Sequence, residues 1–61
     1  MTELLNLREA SRELKLSIFT LRSWCYARKI PFVKLGRRTL LRRTDLEDLV
    51  NKNVVQPKTE G

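Results

Sequence analysis

Nine cationic side chains stand between Lys15 and Arg43, namely Lys15, Arg22, Arg28, Lys29, Lys34, Arg37, Arg38, Arg42 and Arg43, and no carboxylate interrupts them. The chemistry open to such a set is oxyanion recognition. Guanidinium and ammonium groups donate charge-assisted hydrogen bonds, and Arg presents two parallel donors to a phosphate or to guanine O6 and N7. All seven acidic residues lie outside the block, so residues 1–14 sum to −1, 15–43 to +9 and 44–61 to −2, which makes up the net +6. Phe19, Trp24, Tyr26 and Phe32 are interleaved with the cations, and such a one-signed stretch is the electrostatic footprint of a surface that meets a polyanion. Nucleic acid is the first class of partner; the competing explanation is a solvated face that serves solubility alone.

Other chemistries find no residues to carry them. The chain has no histidine, one cysteine and no glycine-rich phosphate loop, so neither a metal site nor a catalytic set can be assembled, and no cofactor is implied. Asp45, Glu47 and Asp48 follow Thr44 closely and read as carboxylates complementing a helix dipole, not as an acid–base cluster. Cys25 cannot form an internal disulfide, which points to a reducing cytoplasm. No apolar run is long enough for a membrane span or a signal-peptide core. At 61 residues there is room for one domain with a small core.

The elements that must position the cations are short. Asn6 and Glu9 form a capping-box pair for a first helix whose Leu7, Ala10 and Leu14 share a face. Lys15-Leu16-Ser17 makes a turn, and Ser17 caps a second helix running to about Arg28. On that helix Ile18, Leu21, Cys25 and the stem of Arg28 cluster on one side, while Phe19, Arg22, Ser23 and Tyr26 recur on the other at helical spacing. Pro31 ends the helical pattern. Phe32–Leu35 and Arg38–Arg42 read as two strands joined by the pair Gly36-Arg37, which suits a two-residue hairpin turn. Thr44 with Glu47 suggests a second capping box, opening a third helix that carries Leu46, Leu49 and Val50. The fold class is thus mainly α with a small β-hairpin, a three-helix winged helix-turn-helix over residues 1–53, followed by a disordered tail at 54–61.

Residues 5–50, from Leu5-Asn6-Leu7-Arg8-Glu9-Ala10 through Ser17-Ile18-Phe19-Thr20-Leu21-Arg22-Ser23-Trp24, Lys29-Ile30-Pro31 and Val33-Lys34-Leu35-Gly36-Arg37-Arg38 to Asp45-Leu46-Glu47, resemble the excisionase-type helix-turn-helix family. That family is similar to the DNA-binding part of MerR-type regulators. The resemblance implies a second helix in the major groove and a wing on the backbone or in the minor groove. It also implies a role as an excisionase that binds and bends double-stranded DNA to help an integrase. Such a protein is a monomer in solution and sits with further copies side by side on DNA. The chain departs from the family pattern at Lys15, where a turn glycine is common, at Thr39, where a large aromatic is frequent, and at Ile18, where a polar residue is usual.

The candidate DNA-binding residues follow from residue type and resemblance together. Arg22 suits a phosphate or guanine, with Ser17, Thr20, Ser23 and Tyr26 as further donors on the same helix. Phe19 suits a thymine methyl or, equally, packing beneath the wing. Arg37 and Arg38 at the hairpin tip suit a narrow groove of enhanced negative potential, while Lys34, Arg42 and Arg43 suit phosphates or else only shape the long-range field. Trp24 borders the core face and reads as packing. A small transcriptional regulator of the same fold is the alternative within DNA binding, and a protein-interaction module is the alternative outside it.

Overall fold

The computed structural model describes residues 2–58. Its elements run β1 (Leu4–Asn6), α1 (Leu7–Leu14), α2 (Ile18–Tyr26), β2 (Val33–Leu35), β3 (Arg38–Arg42) and α3 (Arg43–Lys52). Helix α1 begins where the side chains dictate: the Glu9 amide donates to Asn6 Oδ1 at 2.7 Å and the Asn6 amide donates to Glu9 Oε1 at 2.9 Å. These two bonds satisfy donors that the first helical turn leaves open. The helix ends as Lys15 turns into the left-handed region at φ 57°, with the Leu16 amide reaching back to the Ser11 carbonyl at 3.1 Å. Ser17 then caps α2, accepting from the Thr20 amide at 3.1 Å while the two hydroxyls share a hydrogen bond at 2.9 Å. Two short helices joined by this three-residue turn are a helix-turn-helix.

The wing is more firmly tied down than the hairpin pattern alone suggests. Strands β2 and β3 pair antiparallel as expected, with Leu35 opposite Arg38, so that only Gly36 and Arg37 form the turn. Gly36 adopts φ +60° whereas Arg37 does not have positive φ, a combination suited to a II′ hairpin turn. A Cβ at Gly36 would meet no atom within 4 Å, so glycine is required by the backbone and not by space. The sheet gains a third strand that patterning misses: β1 pairs with the other side of β3, Leu5 opposite Leu41, giving the order β1-β3-β2. β3 is therefore central, and its Leu41 is fully buried.

Helix α3 starts differently from expectation. β3 runs into it without a loop, Arg42 occupies the cap position, and the helix begins at Arg43, one residue before Thr44. The Thr44–Glu47 capping box therefore does not form. Instead the Arg42 side chain reaches Asp45 in the first turn through Nε at 2.6 Å and Nη2 at 3.0 Å. Helix α2 likewise stops at Tyr26, earlier than expected. The Arg28 amide donates to the Cys25 carbonyl at 3.1 Å and the Lys29 amide to the Trp24 carbonyl at 2.9 Å, while Arg28 takes φ 59°. These two bonds around a left-handed residue are the Schellman closure of a helix.

The core draws on every layer. Leu5, Ala10, Leu21, Cys25, Ile30, Leu41 and Leu46 are buried, with Leu7, Leu14, Trp24, Phe32 and Leu49 packed around them. Trp24 thus contributes to packing. Residues Val54–Lys58 are exposed and carry no helix or strand. The tail expected at 54–61 extends over Thr59–Gly61, which lie outside the described residues.

Two substitutions test this account. Leu41→Ala should cost about 2–5 kcal/mol because it opens a cavity at the junction of sheet and helices, enough to unfold a domain of this size. Lys15→Gly should stabilise by about 0.5–1 kcal/mol, since relief of a left-handed penalty of about 1–2 kcal/mol exceeds the entropic cost of glycine. Thermal unfolding followed by circular dichroism reads both.

Candidate nucleic-acid interface

The fold sets α2 beside the wing and leaves an open groove between them. Arg22 and Tyr26 line it from the helix, Arg28 and Lys29 from the following loop, Lys34, Arg37 and Arg38 from the wing, and Lys52 from α3. Seven of these eight side chains are cationic, so the groove concentrates positive potential on whatever enters it. Phe19 and Tyr26, one turn pair apart on α2, are 76% and 77% exposed. Phe19 therefore does not pack under the wing. Two large aromatics left this open beside a cationic groove are better matched to a contact surface than to a core.

The carboxylates are disposed so that they leave this groove alone. All three ion pairs among the described residues use Arg42 or Arg43: Arg42 with Asp45, and Arg43 with Glu3 and with Glu13, the last at 2.9 Å. Arg43 is half-buried on α3 and links α1 with the residue just before β1, its amide also donating to the Glu3 carbonyl at 2.9 Å. Hydrogen bonding to Arg43 holds the Glu13 carboxyl below its usual range, and the same bonds from Glu13 and Glu3 hold the Arg43 guanidinium firmly charged. The bond to Asp45 does likewise for Arg42. Glu3, Glu9, Arg12, Glu13 and Arg43 border a second, smaller cleft that shares no residue with the first. Charge segregation along the sequence thus becomes segregation in space.

The expected site residues divide accordingly. Arg22, Tyr26, Lys34, Arg37 and Arg38 are brought together around the groove. Lys34 also leans on the wing, its Nζ donating to Thr39 Oγ1 at 3.3 Å. Ser23 and Phe19 are exposed on α2 outside the groove lining. Ser17 and Thr20 are engaged in capping the helix, and Arg42 is held by Asp45 away from the groove. Arg28 and Lys29, members of the cationic block that were not among the candidate contacts, belong to the groove, and so does Lys52 from outside the block. Arg28 in particular reads as a core-side stem if α2 is continued two residues past Tyr26; Pro31 three residues on, which ends the helical pattern, was the available signal. Cys25 lies beneath, and burial pushes its thiol pKa up, which keeps it in the unreactive form.

The family model described as a helix-turn-helix domain matches residues 4–54. The chain belongs to this family, the excisionase-type helix-turn-helix proteins, and is a DNA-binding domain with a winged helix-turn-helix fold. No curated protein and no solved structure matches it. No helix among the described residues is long and apolar enough to cross a membrane, and no group of side chains among them could hold a metal ion.

The Arg43 junction carries a pH dependence whose sign is fixed. The Glu13 pKa is lower folded than unfolded, so its stabilisation is present above the ordinary carboxylate range and is lost as pH falls through that range toward the folded value. Melting temperature measured against pH should fall in acid for the wild type and fall less for Glu13→Gln. Superimposable profiles would show that the Glu13 pair does not couple to folding.

Proposed function

We propose that the protein is a sequence-specific binder of double-stranded DNA acting as an excisionase, an architectural factor that bends DNA and helps an integrase carry out excision. The observation that carries this reading is the shared groove in which Arg22 and Tyr26 of α2 face Lys34, Arg37 and Arg38 of the wing with no carboxylate between them. A helix of this size fits the major groove, where Arg22 can address guanine O6 and N7. Phe19, Ser23 and Tyr26 then lie along the same helix to touch a thymine methyl, a base edge or a phosphate. The wing, tipped by Gly36-Arg37 and flanked by Arg38, meets the backbone or the adjacent minor groove.

Gripping neighbouring grooves from a rigid domain favours a bent duplex, because bending brings more phosphate within reach of fixed cations. Bond breaking is left to the integrase. The exposed residues Val54 and Val55 offer apolar contact to a protein bound beside it, with the shared DNA raising the effective concentration. Family membership supports DNA binding, and membership in the excisionase-type family favours the excisionase role over a regulator with the same DNA-reading surface.

Neutralising about five phosphates gives a slope of log K against log salt of roughly −4 to −5. A slope near zero would remove the DNA reading. Arg22→Ala should weaken binding by about 1–3 kcal/mol and relax preference at one position of the site, whereas the double change Arg37→Ala, Arg38→Ala should weaken binding to all sequences and flatten the salt slope. Footprinting with and without a candidate integrase on DNA carrying both sites separates the roles. Altered integrase occupancy and excision are expected; promoter occupancy with no effect on integrase would mark a small transcriptional regulator instead.

A further inference from the structure

Both helices that form the helix-turn-helix end on a residue in the left-handed region, and at both ends that residue is a cation: Lys15 at φ 57° and Arg28 at φ 59°. Glycine occupies such closures without penalty, whereas a residue with a Cβ is strained there. Arg28 differs from Lys15 in one respect. It lines the cationic groove; like Lys15 it is exposed, and no ion pair among the described residues engages it. Strain that is kept at a surface position with a free charge suggests a side chain retained for what it binds.

Geometry names the ligand. Arg28 and Lys29 sit in the loop that leaves α2 and leads through Pro31 into β2, between the helix and the wing. In a duplex the major and minor grooves are separated by a phosphodiester strand. A domain with its helix in one groove and its wing at the next must therefore straddle that strand, and the loop joining them is what lies against it. We infer that Arg28, seconded by Lys29, is a phosphate-binding element of this protein, holding the backbone strand that passes between helix and wing. The inference rests on the DNA-binding reading given above. The left-handed turn is what makes it possible: continuing α2 in helical geometry would place position 28 on the core side with Leu21 and Cys25, whereas the reversal of backbone hand delivers the guanidinium to the groove.

Because strain and contact act in opposite directions, one substitution separates them. Arg28→Gly should raise the melting temperature by a few degrees, yet weaken duplex binding about tenfold and reduce the magnitude of the salt slope by about 0.9, the loss of one phosphate. The charge-matched control is Arg12→Gln, which alters the acidic cleft and not the groove; it should change affinity less than about twofold through the long-range field. Arg28→Lys keeps the cation and should keep the slope. The measurements are thermal unfolding and fluorescence-anisotropy titration of a labelled target duplex over a series of salt concentrations. If wild type binds with a steep slope and Arg28→Gly keeps that slope, whether its affinity is unchanged or reduced, the phosphate contact is overturned while the DNA reading stands. A wild-type slope near zero would overturn both.

Discussion

The pairing of β3 with strands on both sides is the constraint on which the rest of the structure depends. Leu41 is fully buried and sits opposite Leu5 of β1, so the central strand is anchored to the start of the chain and to the core at one point. From that anchor the strand extends toward the wing in one direction and, with no intervening loop, becomes α3 in the other. The wing is consequently fixed to the same body as the helices. A two-stranded hairpin standing alone is marginal in water; with a third strand and a helix attached, the cations at its tip are presented in a defined place beside α2.

Arginine serves two distinct purposes here. Arg42 and Arg43 are paired with carboxylates, Arg42 with Asp45 in the first turn of α3 and Arg43 with α1 and the residue before β1, and at an exposed location such pairs act mainly through geometry, because solvent screens them. Arg22, Arg28, Arg37 and Arg38 line the groove, and no ion pair among the described residues engages them. The pairing keeps acidic residues gathered around Arg43 and away from the groove, so the structural ion pairs also sharpen the field that a polyanion meets. Long-range steering of DNA benefits from that separation at low and moderate salt.

Much of this was legible in the residues themselves. The Asn6–Glu9 capping box, the Ser17 cap and the Gly36-Arg37 turn are local devices in which a side chain or a missing Cβ answers to neighbours within three or four positions, and each stands where its residue types indicate. So do the paired strands of the wing and the two faces of α2. Local rules failed where a distant partner or an abrupt ending intervened. β1 has only three residues, too few for a pattern, and exists because β3 lies beside it. The Thr44 box lost to a helix that begins directly at the end of a strand, and α2 stopped short because a left-handed Arg28 closes it.

The sequence by itself determined the fold class, the core face of α1 and the segregation of charge, because those follow from periodicity, capping chemistry and the order of residues along the chain, whereas Arg28 and Val50, which periodicity sets with the core residues of α2 and α3, are exposed. Only the tertiary structure decided which cations face one groove and which are tied to carboxylates. Arg42 and Arg38 are both strand residues of one sign, and nothing adjacent to Arg43 marks it for Glu3 and Glu13, which lie 40 and 30 residues away. Asp45 takes Arg42 locally, three residues on, but where Glu3 and Glu13 come to rest against Arg43 depends on contacts between segments far apart in the chain, which no local pattern encodes.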